Sequence, residues 1–201
     1  MKKNILLLAF TFLLSFVFNA NAEVNAEKAE DFIKTTTAKG VEEIINANVS
    51  NEEKDKRFYE LLDGALDMEF IGQFVLGRNW RTATSDQRNN FIKAYRDLNI
   101  KTWSKRFNEF EGKNFVFKGT TPSSSKGQVF VNTKVPMDQG APAKVLWRVR
   151  EKNGDYKIVD IIIEGVSLAQ ASRSEYTSFI KNNPGGLDAL IKDLNNKLSK
   201  L

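Results

Sequence analysis

The sequence contains neither cysteine nor histidine among its 201 residues. Without cysteine the chain has no disulfide framework, so its hydrophobic core alone must hold the fold together. The same absences exclude catalysis by an imidazole base or a thiolate nucleophile, and they exclude most zinc sites. An enzyme built from this chain would depend on Asp, Glu, Lys, Tyr or Ser. The composition therefore favours a binding protein that is not an enzyme and needs neither a metal nor a cofactor.

Two further patterns are missing. The sequence has no GxGxxG segment and no Walker segment, so it shows no phosphate-binding loop. The formal net charge is +5, but the basic residues are spread along the chain and not gathered in one run. This distribution argues against nucleic acid as a partner. It is compatible with an anionic membrane surface or an acidic partner.

The N-terminus has the three-part pattern of a secretory signal peptide. Lys2 and Lys3 precede an apolar segment over residues 5–18, and small residues follow as far as Ala22. The apolar segment is too short for a comfortable membrane span. We expect residues 1–22 to be a signal peptide that is cleaved after Ala22. Residues 23–201 are then expected to form a single exported domain with one core.

The first half of the remaining chain has the periodicity of amphipathic helices. Between residues 24 and 48 the apolar residues recur at helical spacing opposite a polar face. Ser50 and Thr84 each precede a Glu or Gln by three residues, which is the spacing of a capping box and predicts a helix start. We expect the long helix that begins after Thr84 to end at Gly112.

After Gly112 the periodicity changes from helical to alternating. Apolar and polar residues alternate over 129–135 and 145–149, and turn sequences separate these runs. This pattern predicts an antiparallel meander of about four strands, of which the β-branched run Ile158–Ile163 is the last. Two helices follow it. The fold class is therefore α+β, with N-terminal and C-terminal helices packed on the sheet.

One carboxylate interrupts the last predicted strand. Asp160 lies in an apolar run, where a carboxylate is costly unless it is paired or faces water. A structural contact with a neighbouring backbone or basic group is the favoured explanation. The alternative is an exported hydrolase in which Asp160 and Glu164 divide the acid and base roles. Glu164 and Gly165 end the strand, and Ser167 is placed to cap the next helix.

The predicted elements carry more large apolar residues than one helix layer on one sheet obviously needs. The surplus is greatest in the long helix and in the strands around Trp147 and Ile161. Two explanations remain open at this point, a core that is simply rich and a cavity for an apolar ligand between sheet and helices.

Three blocks of the sequence resemble the MlaC or toluene-tolerance family of periplasmic phospholipid-binding proteins, auxiliary components of an ABC transporter. The blocks run from Val75 to Arg88, from Gly154 to Leu168 and from Gly186 to Leu190. The signal peptide, the chain length and the order of the elements fit the same family. The resemblance therefore covers essentially all of the exported chain.

This resemblance implies a curved antiparallel sheet, similar to the nuclear-transport-factor-like fold, with helices on its concave side. It implies an apolar pocket that takes the acyl chains of a phospholipid while the headgroup stays outside. It also implies a soluble carrier that shuttles diacyl lipids between outer and inner membranes in a lipid-asymmetry pathway. The implied partners are an outer-membrane lipoprotein-porin complex and an inner-membrane ABC permease with its substrate-binding ring.

We expect the pocket wall to combine side chains of the long helix with inward-facing side chains of the sheet and a few residues near the helix and strand ends. The candidate lipid-binding residues are Val75, Leu76, Tyr95, Leu98, Trp103, Phe107, Val145, Trp147, Val149, Val159, Ile161, Ile163 and Val166. Two other classes of protein remain open, the hydrolase described above and a lipid-free scaffold with a filled core.

Overall fold

The computed structural model describes residues 24–107, 113–137 and 140–201. The predicted signal peptide and the predicted helix end at Gly112 lie outside the described residues. Within these ranges the chain forms seven α-helices, one π-helical segment and five β-strands. None of the described helices is long and apolar enough to cross a bilayer.

Helix α1 (Ala26–Ala38) continues directly into a π-helical segment (Lys39–Ile45). The sequence predicted regular helical periodicity across residues 24–48, so the widened turn is a departure from that prediction. The hydroxyl groups of Thr36 and Thr37 each donate a hydrogen bond of 2.8 Å to a backbone carbonyl one turn earlier. Such bonds compete with the backbone ladder and loosen it.

Four helices lie between the π-helical segment and the sheet: α2 (Asn51–Ala65), α3 (Met68–Leu76), α4 (Arg78–Thr82) and α5 (Ser85–Phe107). Both predicted helix starts are confirmed. The Ser50 hydroxyl accepts a hydrogen bond from a backbone N–H at 3.2 Å. At the start of α5, Thr84 and Gln87 exchange two hydrogen bonds of 3.1 Å between side chain and backbone, which completes a capping box.

Gly77 separates α3 from α4 in a backbone conformation that other residues rarely adopt. Its φ of 54° and ψ of −118° are accessible to glycine because glycine has no Cβ. The guanidinium of Arg173 lies 3.0 Å from the point where a Cβ would stand. Arg173 donates a hydrogen bond of 3.1 Å to the carbonyl of Phe74, so this contact ties the end of α3 to a later helix.

The five strands form one antiparallel sheet in sequence order: β1 (Val116–Pro122), β2 (Gln128–Val135), β3 (Ala143–Lys152), β4 (Asp155–Ile163) and β5 (Val166–Ser167). The predicted α+β class is confirmed, with one strand more than the four expected. Glu164 and Gly165 have φ values of 49° and 84°. Two consecutive positive φ values make a tight hairpin turn, so the chain doubles back and pairs Val166 with Ile163.

Two irregularities interrupt the regular pairing of the strands. In β1 the register shifts between Phe117 and Thr120. In β4 the register shifts opposite the boundary between Arg148 and Val149, and Val159 is the extra residue. A bulge of this kind bends the strand and changes which way the following side chains point.

One face of the sheet, called the inner face here, carries the helices. Helix α1 packs across it, with Ile33 in one buried cluster with Val131 and Val149. The far edge of β4 is covered where the α2–α3 junction meets it, because the Asp67 N–H donates a hydrogen bond of 3.0 Å to the Ile158 carbonyl. This junction brings α2 and α3 alongside the sheet.

Two helices complete the chain, α6 (Leu168–Asn182) and α7 (Gly186–Leu198). Helix α6 packs on α3 and on β4, and α7 packs on α5 and α6. Their buried side chains join α3 and α5 in the largest hydrophobic cluster, in which the rings of Phe91, Tyr95 and Tyr176 contact one another. The helical layer therefore has a dense core of its own, separate from the sheet.

Candidate apolar ligand site

A cavity lies between the inner face of the sheet and helices α2, α3, α5 and α6. Its empty volume is about 970 Å³ including the open mouth. Almost all of its lining is apolar, and the exceptions are Asn99, Asp160 and the phenol of Tyr95. The lining residues are Phe58, Leu62, Leu66, Met68, Ile71, Tyr95, Asn99, Ile100, Trp103, Phe115, Val135, Val145, Trp147, Val159, Asp160, Ile161, Ile163, Leu168 and Ala169.

The sheet wall of the cavity is apolar because alternate residues of neighbouring strands point to the same face. Val145 pairs with Ile163, and Trp147 pairs with Ile161. The indole N–H of Trp147 donates a hydrogen bond of 3.0 Å to the hydroxyl of Thr133. This bond satisfies the polar atom of Trp147 within the sheet, so the ring offers the cavity a carbon surface.

The helix wall comes largely from α5, where Tyr95, Asn99 and Trp103 follow one another at intervals of four residues. Two polar groups of this row form hydrogen bonds within the protein. The Asn99 amide donates a hydrogen bond of 2.7 Å to the Tyr95 carbonyl, and the Tyr95 hydroxyl donates one of 3.3 Å to Ser172. Burial raises the pKa of the Tyr95 phenol, so this group stays neutral.

Asp160 caps helix α6 from the cavity wall. Its carboxylate accepts hydrogen bonds from the Ser167 hydroxyl at 2.6 Å and from the buried Ala169 N–H at 3.1 Å. A negative charge at a helix N-terminus is stabilised by the unpaired N–H groups there. Glu164 lies exposed in the hairpin turn, and its carboxylate accepts a hydrogen bond from the Lys144 backbone N–H. Both carboxylates therefore have structural partners, and for Asp160 this is the structural contact that the sequence analysis favoured.

Seven of the thirteen candidate lipid-binding residues lie together on the cavity wall. They are Tyr95, Trp103, Val145, Trp147, Val159, Ile161 and Ile163. Val159 is the extra residue of the β4 bulge, where the regular pairing of this strand is interrupted. Their contact with a ligand remains a prediction.

The other six candidates are not brought to this wall. Val75, Leu76 and Leu98 pack in the helical cluster, Val149 is buried beneath α1, Val166 is 59% exposed, and Phe107 ends α5 with its side chain outside the described part. Helical or strand periodicity identifies a buried face. It does not distinguish a face that meets other side chains from one that meets empty space. This is why the sequence could not separate these six residues from the seven that line the cavity.

Sequence reasoning missed the contribution of α2, α3 and the start of α6. Phe58 and Leu62 lie on the apolar face of α2, and Ile71 lies on that of α3. Both faces are visible as helical periodicity. Their position opposite the sheet depends on the bridge between Leu66 and Ile158, which joins residues 92 positions apart and has no local signal.

Comparison with known proteins identifies two relatives with similar sequences. Over 164 residues the chain is 21% identical to a Haemophilus influenzae protein named intermembrane phospholipid transport system binding protein MlaC. This match covers 78% of this chain and 76% of the relative. Over 177 residues it is 21% identical to the toluene tolerance protein ttg2D of Pseudomonas putida. This match covers 84% of this chain and 80% of the relative.

A solved structure has the same fold. The phospholipid-binding protein from Ralstonia solanacearum, determined in complex with a phospholipid, superposes with a TM-score of 0.75 at 20% identity. The match covers 86% of this chain and 97% of the other. A model of the MlaC protein family matches residues 34–196, which is well over half of the sequence. The chain therefore belongs to the MlaC protein family.

Proposed function

We propose that this protein is a periplasmic carrier of diacyl phospholipids, in which the acyl chains occupy the cavity and the headgroup stays at its mouth. The observation that carries the proposal is the cavity between the sheet and the helices, whose lining is almost entirely apolar. The bound phospholipid of the Ralstonia protein and the phospholipid transport role named for the Haemophilus relative support the same ligand class.

The physical chemistry of the ligand explains why no catalytic group is needed. Hiding two chains of about 14 methylenes from water is worth roughly 20 kcal/mol at ~0.8 kcal/mol per methylene. Spontaneous release into water would be far too slow for transport. Transfer between a bilayer and the cavity is nearly balanced, because both environments are apolar.

The carrier therefore exchanges lipid only while it is docked. We propose the docking partners that the family resemblance implies, an outer-membrane lipoprotein-porin complex and an inner-membrane ABC permease with its substrate-binding ring. The signal peptide predicted at residues 1–22 supports export to the compartment between those membranes. ATP hydrolysis by the permease complex would set the direction, since the binding protein itself supplies no energy.

Mass spectrometry of the purified protein, first under native and then under denaturing conditions, tests the proposal. We expect about one diacyl phospholipid per chain, released only on denaturation. A protein that is consistently ligand-free and also fails to take lipid from vesicles would refute the carrier and favour the scaffold. A polar substrate turned over in the cavity would favour the hydrolase.

Trp103→Glu tests whether the ligand occupies this cavity. A carboxylate on the cavity wall is incompatible with buried acyl chains, so lipid recovery should be lost while the circular dichroism spectrum of the fold is kept. Trp80→Glu is the matched control, because Trp80 is a half-buried helical tryptophan that does not line the cavity. Equal lipid recovery by the two variants would contradict the assignment.

A further inference from the structure

Three large apolar side chains in the described part of the chain are exposed, and all three lie at one end of the sheet. Val116 is 44% exposed, Met137 is 49% exposed and Val166 is 59% exposed. Val116 begins β1, Met137 follows the end of β2, and Val166 follows the end of β4. The register of the strands brings these three positions to the same end.

The cavity reaches this same end of the sheet. Val116 directly follows the lining residue Phe115, and Met137 lies two positions beyond the lining residue Val135. Val166 pairs across the hairpin with Ile163, which also lines the cavity. The end of the sheet that carries the three exposed apolar residues is therefore also an end of the cavity. Scattered exposed apolar residues are ordinary, but a group collected at one cavity end is not.

Two lysines face each other beside these residues. Lys134 and Lys144 are direct partners in the β2–β3 ladder, and Val116 pairs with Lys134 on the other side. Like charges directly opposite one another destabilise a sheet. Within the described ranges neither ammonium group forms an ion pair with a carboxylate. The nearby Glu164 engages the backbone N–H of Lys144.

We propose that Val116, Lys134, Met137, Lys144 and Val166, called the sheet tip here, dock directly on an anionic phospholipid bilayer. The lysines meet the headgroup phosphates, which relieves their mutual repulsion, and the apolar side chains enter the boundary between headgroups and acyl chains. The inference rests on the proposed lipid carrier, because docking at this end places the cavity against the bilayer and lets an acyl chain move between them without crossing water.

A bilayer fits the sheet tip better than a protein partner does. A stable protein interface buries at least about 1,000 Å² and has a contiguous apolar centre. The sheet tip instead offers three separated apolar side chains around a pair of cations, and such a surface needs no fixed complementary shape. A fluid anionic lipid layer can adapt to it, whereas a folded partner would have to match its spacing.

Co-sedimentation with vesicles of phosphatidylcholine containing 30% phosphatidylglycerol tests the charge requirement. Replacing Lys134 and Lys144 with Gln should weaken binding about five-fold per lysine, roughly twenty-five-fold together. Lys181→Gln with Lys192→Gln is the matched control, since both lysines are exposed on helices away from the sheet tip and should leave binding unchanged. Glu164→Gln keeps an acceptor for Lys144 while removing a negative charge, so it should strengthen binding.

The absence of cysteine allows a site-specific test of insertion. An environment-sensitive fluorophore on Val166→Cys or Met137→Cys should shift to the blue with the anionic vesicles and not with pure phosphatidylcholine. The same label on Thr177→Cys, an exposed position on α6, should not respond. Equal responses at all three sites, or none, would overturn the proposal, as would a shift that requires an added membrane protein and occurs without lipid.

These outcomes are separable from those of the carrier proposal. A protein that retains bound phospholipid in the mass spectrometer but fails both vesicle assays refutes docking through the sheet tip and leaves the carrier intact. A protein that binds the vesicles through the sheet tip but never contains or takes up lipid supports the docking surface and refutes the carrier.

Discussion

Replacing Asp160 with Ala should destabilise the protein at the junction between the sheet and helix α6. The carboxylate accepts hydrogen bonds from Ser167 and from the Ala169 N–H, and it is only 5% exposed. Ala removes both acceptors. The Ala169 N–H is then buried without a partner, and α6 loses the charge at its N-terminus.

The magnitude follows from the contacts. A hydrogen bond to a charged group contributes about 1.5–3 kcal/mol, so two contribute roughly 3–6 kcal/mol. The favourable effect of the helix N-terminus adds ~0.3–1 kcal/mol, and removal of a buried charge returns part of its desolvation cost. We expect a net loss of about 3 kcal/mol for Asp160→Ala. Asp160→Asn keeps one acceptor and should lose about half as much.

Urea unfolding followed by circular dichroism measures these differences. In a domain of this size ~1 kcal/mol corresponds to a change of about 2–4 °C in Tm, so Asp160→Ala should lower Tm by roughly 6–12 °C. Asp188→Ala is the control, because Asp188 is an exposed acid in the first turn of α7 and should cost less than ~1 kcal/mol. If Asp160→Ala were as stable as the unmodified protein, or Asn were worse than Ala, the capping argument would be wrong.

Two further predictions concern the backbone and pH. Gly77→Ala should destabilise the protein by about 1–3 kcal/mol, because Gly77 has a positive φ and Arg173 lies close to it. Gly64→Ala, on the exposed face of α2, should stabilise the protein by ~0.5–1 kcal/mol. Thermal melts of both variants test the contrast. Burial alone would raise the pKa of Asp97, but hydrogen bonds from Lys93 and other donors outweigh it and hold the pKa below its usual value. The resulting stability is present at neutral pH and lost as pH falls through the folded pKa. The urea midpoint of Asp97→Asn should therefore be lower than that of the unmodified protein at pH 7, and the two midpoints should converge once the pH is below the folded pKa of Asp97.

Local signals in the sequence were sufficient for most of the elements. The spacing from Thr84 to Gln87 predicted the start of α5, and the two residues exchange the expected hydrogen bonds. Ser167 was likewise predicted to cap α6, and its hydroxyl accepts the Gln170 N–H at 3.0 Å. Capping depends on residues three positions apart, so a single sequence contains all the necessary information.

The β4 bulge and the choice of residues that face the cavity depend on contacts between residues far apart in the sequence. Strict alternation along β4 breaks at Val159, because the bulge is set by pairing with β3 and not by any residue type in β4. Val149 and Val145 look equivalent as inward-facing strand residues. Val149 is covered by α1, whereas Val145 faces the cavity. The difference arises from the position of α1 on the sheet.

The irregularity in β1 has a consequence for how molecules of this protein meet one another. The far edge of the sheet is covered by β5 and the α2–α3 junction, so β1 is the edge at which the described strands leave backbone groups unpaired. That edge is broken by the register shift at Lys118 and Gly119, and the strand ends at Pro122. A charged side chain, a bend and a proline all hinder the addition of a strand from a second chain. These three features together hinder sheet-to-sheet polymerisation of the protein.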